Sequence, residues 1–385
     1  PPPLLRRASP GAGWGAAERS MAMAAGLAAA AACAPSVRWR GSTSAPLRSA
    51  AAAAAATVVG PRARRASRAA SVACAATATI EGLRDIAESY EGFLLDQYGV
   101  LHDGLQALPG ALECLLELRK AGKKIIVVSN SPCEGPKSAS RLVKMGFGSE
   151  LFDGALTSGD LVRRHLDKML AEAAAKGSAP LRVAYVSHQD NVRRAVWSPD
   201  DLQGMGFELA ASLEEADLVL ANGVEVCFKG TASEQTTNFE SDASDWGPLR
   251  PLLTAAASRG VPLIVGNPDQ VVVRSGGKVV NCPGQLADEY ARLPGGREPP
   301  CFGKPGPIIF EDARTALRAL GAERVCHVGD SLHHDIGGAQ RTGVPTLFVR
   351  GGVHAKELGE GAPLRELCEK YGVEAPTHEI SFFQW

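Results

Sequence analysis

Residues 92–104 read Gly-Phe-Leu-Leu-Asp-Gln-Tyr-Gly-Val-Leu-His-Asp-Gly, and this stretch decides the fold. Its first four residues are continuously apolar, which is typical of a strand buried on both faces of a sheet. The strand ends at Asp96, and the glycines at 99 and 104 indicate a turn beyond it. We therefore interpret the stretch as a buried strand that carries a carboxylate to the edge of a sheet.

Short apolar strands alternate with amphipathic helices in the rest of the chain. The predicted strands are 92–96, 124–128, 152–156, 183–186, 218–221, 263–265, 325–328 and 346–349, and the clearest predicted helices are 109–122, 137–145 and 161–176. This alternation predicts an α/β fold, a Rossmann-like doubly wound parallel sheet with helices on both faces. Ligands of such sheets bind outside the carboxyl ends of the strands.

Two further predicted strands end in polar residues, as the strand before Asp96 does. Ser129 and Asn130 follow the strand at 124–128, and Asp330 follows the strand at 325–328. We expect these side chains to meet at one edge of the sheet. Each alone would be read as a helix cap or a loop residue, so the prediction rests on their occurring together.

Four short motifs resemble those of the haloacid-dehalogenase (HAD) superfamily, in the subclass with a large cap between its second and third motifs. The run 95–104 resembles the first motif, which is D-x-D-G-V-L in most members, and 128–131 resembles the second. Gly303-Lys304-Pro305 resembles the third, and 329–335 resembles the fourth, G-D-x-x-x-x-D. The motifs occur in the family's order and cover most of the chain after Gly92.

The resemblance implies a nucleophile and a metal site. Asp96 would attack phosphorus and form an aspartyl-phosphate. Mg²⁺, which prefers oxygen ligands, would be held by Asp96, the backbone carbonyl of Tyr98 and Asp330, with Asp335 assisting directly or through water. Two adjacent histidines, 333 and 334, suggest a transition-metal site instead, although solvated side chains at a helix start explain them as well.

The resemblance also implies the groups that hold the phosphoryl group. Ser129, with Asn130 and the backbone after Ser129, would donate hydrogen bonds to it. Lys304 would neutralise it together with the attacking carboxylate, and is therefore counted as catalytic. The expected ligand is a small phosphorylated metabolite. No G-x-x-x-x-G-K-[ST] phosphate loop is present in the sequence.

The interval between Ser129 and Lys304 is longer than two strand–helix units need, and the family places its α/β cap there. The predicted division is 1–78 for a targeting peptide, 79–161 for the first part of the core, 162–279 for the cap and 280–385 for the second part of the core. Asn267-Pro268-Asp269 resembles a motif that borders the substrate in capped members, so Asn267 and Asp269 are candidate substrate residues. A plain Asn-Pro turn is the alternative. Caps of this class often pair, so a homodimer is one option.

Tyr98 departs from the family pattern. Active phosphatases have an aspartate there, which protonates the leaving group and then activates water. A phenol with an ordinary pKa near ~10 is a poor base at neutral pH. Three interpretations stay open: a slow or specialised phosphatase in which His102, Asp103 or a cap residue transfers the proton; a phosphate-binding protein that does not turn over; and a HAD chemistry on carbon or on a phosphonate.

The first eighty residues have the composition of an organelle targeting peptide. They contain ten arginines, no lysine and one acid, Glu18, in an alanine- and serine-rich background. Residues 72–75 resemble a stromal cleavage site, which favours the plastid, the chloroplast stroma, over the mitochondrion. The apolar run 21–34 could instead be a signal peptide preceding a transit peptide. That run is too short to span a bilayer, so no membrane partner is expected.

The rest of the chain is acidic, with 31 basic and 41 acidic residues after position 80. An acidic surface is poorly suited to the phosphate backbone of nucleic acids, so we expect no nucleic-acid partner. The cysteines form no C-x-x-C pair and no metal-ligand spacing, and several fall inside apolar runs. A reducing compartment is the simpler interpretation.

Overall fold

The computed structural model describes residues 77–194, 196–274, 278–359 and 363–385. These residues form one compact unit. The predicted targeting peptide and its cleavage site lie outside the described residues, apart from residues 77 and 78. Among the described residues, no helix is both long enough and apolar enough to cross a lipid bilayer.

The core is a seven-stranded sheet in which every neighbouring pair is parallel. Its strand order is β1-β15-β14-β13-β2-β3-β4. The strands are β1 (Ala78–Thr79), β2 (Gly92–Leu95), β3 (Lys124–Ser129), β4 (Gly154–Thr157), β13 (Val325–Gly329), β14 (Thr346–Val349) and β15 (His378–Ile380). Because β14, β13, β2 and β3 are adjacent, their carboxyl ends form one continuous edge.

Helices cover both faces of this sheet, and successive residues of β2 divide between the two. Phe93 and Leu95 pack into the larger apolar cluster on one face, whereas Leu94 packs into a second cluster on the other. The core helices are α1 (Ala111–Lys120), α2 (Gly135–Lys144), α8 (Pro307–Ala319), α9 (Gly338–Arg341), α10 (Ala355–Gly359) and α11 (Leu364–Tyr371). A π-helical segment, Leu332–Gly337, follows β13. The predicted doubly wound α/β fold is confirmed.

A second sheet forms the inserted cap. It has four parallel strands in the order β10-β7-β5-β6. They are β5 (Arg182–Val186), β6 (Glu208–Leu209), β7 (Leu218–Ala221) and β10 (Leu263–Val265), and two antiparallel pairs, β8 (Val226–Cys227) with β9 (Gln235–Thr236) and β11 (Val271–Arg274) with β12 (Lys278–Asn281), accompany them. The helices of this region are α3 (Ser158–Ala175), α4 (Asn191–Arg194), α5 (Pro199–Met205), α6 (Leu249–Arg259) and α7 (Gly284–Arg292).

The transition from core to cap occurs within α3. Thr157, the last residue of β4, caps this helix by accepting from the backbone N–H of Asp160. Leu161 packs against the core sheet, whereas Val162 and Leu166 pack against the cap strands. The helix thus leaves the core near the predicted boundary at residue 162.

The return to the core comes later than the predicted boundary at residue 279. Helix α7 packs on the cap, because Leu286 and Tyr290 lie in the same apolar cluster as Leu263 of β10. The Tyr290 hydroxyl donates to the carbonyl of Val261 at 2.8 Å. The cap therefore includes α7, whose apolar face has no core partner to bury it.

Several short elements were not predicted from the sequence. Strand β15 and its partner β1 form one edge of the core sheet, joining the two ends of the described chain. The polar segment 231–246 contains β9 and is anchored by Phe239, which is fully buried beside Trp246. Such elements are too short to produce a periodic pattern.

Candidate active site

Three neighbouring strand ends place the predicted polar residues at one edge of the core sheet. Asp96 follows β2, Ser129 ends β3 and Asp330 follows β13. Lys304 precedes α8 and is buried. The structure thus brings together the acids, the hydroxyl and the ammonium group that the sequence placed at strand ends and in the third motif.

Lys304 lies between two carboxylates. Its Nζ donates to Oδ1 of Asp96 at 2.5 Å and to Oδ1 of Asp335 at 2.7 Å. Burial would favour loss of its proton, but the two carboxylates outweigh that effect and raise the pKa of Lys304. The ammonium group is therefore a permanent positive charge beside the predicted nucleophile.

The three aspartates respond differently to burial. Desolvation raises the pKa of Asp96 to about 7, opposed by Lys304 and reinforced by Asp335. Desolvation, with repulsion from Asp96, also raises the pKa of Asp330 well above its usual range. Burial acts in the same direction on Asp335, but Lys304 and His327 reverse it and lower the pKa. The positive charge near Asp96 and Asp330 is thus too small to offset their burial, whereas that near Asp335 is sufficient.

The donor set fits a hard divalent cation. One carboxylate oxygen from each of Asp96, Asp330 and Asp335 lies within 4.8 Å of the others, and all three residues are buried. Three carboxylates facing one ammonium group leave negative charge that a bound cation would balance in this buried site. All the ligand atoms offered are oxygens, which Mg²⁺ and Ca²⁺ prefer.

Asp335 is more heavily engaged by the protein than the other two acids. Its Oδ1 accepts from Lys304 and lies 2.9 Å from Nε2 of buried His327, and its Oδ2 accepts from the backbone N–H of Ser331 at 3.0 Å. These contacts hold Lys304 in place. They indicate that Asp335 assists a metal less directly than Asp96 and Asp330 do.

Ser129 and Asn130 occupy the second motif and have different roles. The Ser129 hydroxyl oxygen accepts from the backbone N–H of Ser131 at 3.2 Å, which leaves its proton free for a ligand. The Asn130 amide is committed to the protein: Nδ2 donates to the Lys304 carbonyl at 2.8 Å and Oδ1 accepts from the Lys304 N–H at 2.6 Å. Asn130 therefore positions the third motif, and any contact it makes with a phosphoryl group involves its backbone.

The cap contributes the predicted Asn267-Pro268-Asp269 loop to this edge. Oδ1 of Asp269 accepts from Nδ2 of Asn130 at 2.7 Å and lies 3.6 Å from Nδ1 of His334. The Asn267 side chain accepts from the backbone N–H of Asp269 at 2.8 Å, which shapes the turn. Asp269 thus borders the site, whereas Asn267 supports the loop that carries it.

Tyr98 packs against the turn that follows the nucleophile. Its ring makes an edge contact with His102 at a centroid distance of 4.6 Å. A Cβ atom at Gly104 would lie 2.8 Å from Cε1 of Tyr98, so the glycine is needed beside the ring. His102 Nδ1 accepts from the backbone N–H of Gly104 at 3.0 Å, and burial lowers the pKa of His102 to about 4. His102 is therefore neutral at physiological pH.

Sequence reasoning missed several residues that shape the site. His327 contacts Asp335, as described above. The backbone N–H of Val353, in the loop after β14, donates to Oδ2 of Asp330 at 2.7 Å. The pair Gly351-Gly352 directly beyond a strand end was the available signal for this last contact, because paired glycines often mark close backbone approach.

Comparison with known proteins agrees with this geometry. The family model "Haloacid dehalogenase-like hydrolase" matches residues 93–193, and a HAD-hydrolase-like model matches residues 301–368. The two matches include the four motif regions and flank the greater part of the cap. Chronophin from Bos taurus is 29% identical over 313 residues, covering 76% of this chain and 93% of its own length.

Solved structures share the architecture. A haloacid dehalogenase-like hydrolase from Brucella suis superposes with a TM-score of 0.60 at 27% identity, over 78% of this chain and 98% of its own. Glycerol phosphate phosphatase from Mycobacterium tuberculosis, in complex with magnesium, superposes with a TM-score of 0.51 at 22% identity, over 77% and 76% of the two chains. The second likeness supports the fold alone. With its four motifs gathered at the carboxyl edge of a parallel sheet and a cap inserted between the second and third, the chain is similar to the haloacid-dehalogenase-like hydrolases, as both family-model matches also indicate.

Proposed function

We propose that this protein is a Mg²⁺-dependent phosphatase that acts on a small phosphate ester through an aspartyl-phosphate on Asp96. The observation that carries the proposal is the buried contact of Lys304 with both Asp96 and Asp335 beside the Asp330 carboxylate. Phosphoryl transfer requires an in-line nucleophile surrounded by positive charge. The chain is also similar to an acid sugar phosphatase from Staphylococcus haemolyticus and to a glycerol-3-phosphate phosphatase from Homo sapiens, which supports the same reaction class.

The residues of this chain divide the work as follows. Asp96 attacks phosphorus and forms the aspartyl-phosphate, while the P–O bond to the ester oxygen breaks and that oxygen takes a proton from water and leaves as an alcohol. A second water then attacks the aspartyl-phosphate, which releases inorganic phosphate and regenerates Asp96. Lys304 keeps the nucleophile ionised and neutralises charge on the phosphoryl oxygens, and the free hydroxyl proton of Ser129 is available to one of those oxygens. A Mg²⁺ ion held by Asp96, Asp330 and the Tyr98 carbonyl, when bound, would supply the remaining positive charge.

The cap limits the substrate to a small molecule. Asp269 accepts a hydrogen bond from Asn130 of the second motif, so the cap loop borders the site at the strand ends. A covered site excludes large polymers and bulk water. This geometry supports a small phosphorylated metabolite as substrate.

Tyr98 makes water activation the weak step of the proposed cycle. A carboxylate at this position would normally help protonate the leaving group and then deprotonate water. General acid–base assistance is typically worth ~10²–10⁴-fold, so turnover should be slower by about that range unless another group substitutes. Because His102 is buried and already accepts from Gly104, it is a poor substitute.

A second candidate is a phosphometabolite-binding protein that does not turn over. The replacement of the acid/base by Tyr98, whose ring packs on His102 and Gly104, is the observation that favours it. In that case Asp96, Lys304 and the metal site would bind a phosphate group without completing a reaction.

The deciding experiment measures phosphate release from a panel of small phosphate esters with and without Mg²⁺. We expect slow Mg²⁺-dependent release by the native protein, no release by Asp96→Asn, and faster release by Tyr98→Asp. Tyr98→Phe is the matched control, because it keeps the ring and removes only the hydroxyl. Unchanged turnover in Tyr98→Phe would exclude the phenol as the acid.

If the native protein releases no phosphate from any ester of the panel, the second candidate is favoured. In that case phosphate esters should still raise the melting temperature in the presence of Mg²⁺, and Tyr98→Asp should gain turnover. Release by Asp96→Asn at the native rate would contradict both candidates, because each assigns the phosphate site to this carboxylate.

We also propose that residues 1–78 direct the protein to the plastid stroma. The arginine-rich, acid-poor composition supports this. A fluorescent protein carrying residues 1–78 should be imported and shortened by isolated chloroplasts. Import by mitochondria alone would contradict the plastid assignment.

A further inference from the structure

The loop Arg350–His354, which we call the clamp loop, encloses one oxygen of the metal-ligand candidate Asp330. It follows β14, the neighbour of β13 in the sheet, and lies outside the four motifs. The backbone N–H of Val353 donates to Oδ2 of Asp330 at 2.7 Å. One carboxylate oxygen of Asp330 also lies within 4.8 Å of an oxygen of Asp96 and of Asp335.

Two glycines, one in the clamp loop and one in the first motif, lie very close to the Asp330 side chain. A Cβ atom at Gly352 would lie 2.1 Å from Oδ2 and 2.2 Å from Cβ of Asp330. A Cβ atom at Gly99, next to Tyr98 in the first motif, would lie 1.9 Å from the same oxygen. These distances are far below any van der Waals contact, so the carboxylate fits only because both positions lack a side chain.

His354 ties the clamp loop to the fourth motif a second time. Its Nε2 accepts from the backbone N–H of Leu332 at 3.2 Å, and its Nδ1 lies 2.7 Å from Oε2 of Glu357. An accepting Nε2 requires the tautomer that carries the proton on Nδ1, which then donates to Glu357. The ring is buried, so this arrangement is well defined.

The end of the chain anchors the clamp loop from outside. The backbone N–H groups of Arg350 and Gly351 donate to the carbonyls of Ile380 and Ser381, both at 2.9 Å. A Cβ atom at Gly351 would lie 2.4 Å from Cε1 of Phe382, so that ring rests directly on the loop backbone. The clamp loop is therefore held between the metal site and residues 380–382.

We propose that the clamp loop is a positioning element for the metal, in which Gly352 and the Val353 N–H orient Asp330 and residues 380–382 hold the loop in register. The inference rests on the proposed Mg²⁺ site and extends it beyond the four motifs. Groups that orient a metal ligand typically contribute ~10–100-fold to metal affinity. Gly352 and Phe382 thus control Mg²⁺ binding without touching the ion.

The test is calorimetric titration of Mg²⁺ into the native protein, Gly352→Ala, Phe382→Ala and Gly359→Ala, with the metal-free melting temperature of each. Gly359 is the matched control, because a Cβ atom there meets nothing within 4 Å. We expect about 10-fold weaker Mg²⁺ binding or more for Gly352→Ala. Phe382→Ala should bind more weakly than the native protein, and Gly359→Ala should match it.

The outcomes separate this inference from the proposed function. If the native protein binds no Mg²⁺, the metal site itself is wrong. If the native protein binds Mg²⁺ and Gly352→Ala binds it equally, the clamp inference is overturned. A lower metal-free melting temperature with unchanged affinity would likewise overturn it, because the loop would then be merely structural. If Gly352→Ala does not fold, Phe382→Ala decides, and unchanged affinity in that variant overturns the inference.

Discussion

At the scale of single residues, the site depends on compensation among buried charges. Lys304 is 2% exposed and balances two carboxylates, while Asp330 has the backbone N–H of Val353 as its hydrogen-bond donor and the like charge of Asp96 beside it. Motif order was sufficient to predict Asp96, Ser129, Lys304, Asp330 and Asp335 as neighbours. It could not show that Asn130 is engaged by Lys304, because that depends on the path of a loop distant in sequence.

Replacing Lys304 tests the charge balance. Lys304→Met leaves Asp96 and Asp335 buried without their cation, and breaking such a pair typically costs ~3–5 kcal/mol. We expect urea unfolding without Mg²⁺ to show a free energy of unfolding that is lower by this amount, and a smaller decrease when Mg²⁺ is present. Lys120→Met is the control, because Lys120 pairs with Glu117 on the surface, where an ion pair is worth at most ~1 kcal/mol. Equal losses for the two variants would contradict the buried-charge account.

His102 predicts a pH dependence of stability. Its pKa in the folded protein is about 4, below the ordinary value of ~6.5 expected in the unfolded chain. Between these two pKa values His102 binds a proton in the unfolded chain but not in the folded protein. The free energy of unfolding therefore falls as the pH drops from about 6.5 to 4. His102→Asn keeps an acceptor for Gly104, and we expect it to lose about 3 kcal/mol less than the native protein over this interval. Parallel curves in pH-dependent unfolding would contradict this.

At the scale of secondary structure, the long buried strands were predictable and the short edge elements were not. Strand β2 is apolar at every position because both of its faces are covered, and that pattern is visible in the sequence. Strand β1 has two residues and gains its place only by pairing with β15. Residues 280–385 were predicted as the second part of the core, but helix α7 packs in the apolar cluster of the cap, and no local pattern shows which surface a helix packs against.

The loops of the second and third motifs are joined by Asn130, and this junction can be tested. Asn130→Ala leaves the N–H and carbonyl of Lys304 without their buried partners, and an unsatisfied buried group costs ~1–3 kcal/mol. We expect the free energy of unfolding to fall by an amount in this range. We also expect phosphate release by the folded variant to be slower than that of the native protein, because Lys304 shifts relative to Asp96. Urea unfolding and phosphate release measure the two effects. A loss of stability with native activity would show that Lys304 keeps its position without Asn130.

At the scale of the whole molecule, the cap begins within α3 and includes α7, and its Asp269 borders the candidate phosphate site. The chain that contains this site is acidic after position 80. The positive charge that would receive phosphate in the proposed reaction is therefore the local, buried ammonium group of Lys304. A bound metal would add to it, and the surface as a whole does not attract anions. The order of the motifs predicted this division into core and cap. The arrangement of side chains on the cap, which determines the substrate, depends on contacts that no local pattern encodes.

The central claim is that Asp96 accepts the phosphoryl group and that Tyr98 slows its release. Its most direct test is rapid-mixing kinetics with p-nitrophenyl phosphate, whose leaving group departs without an acid. We predict a burst of p-nitrophenol equal to the enzyme concentration, a slow steady state, and a phosphoryl group on Asp96 after acid quenching. Tyr98→Asp should lose the burst and turn over faster. Slow phosphate release without a burst, or a phosphoryl group on another residue, would contradict the account.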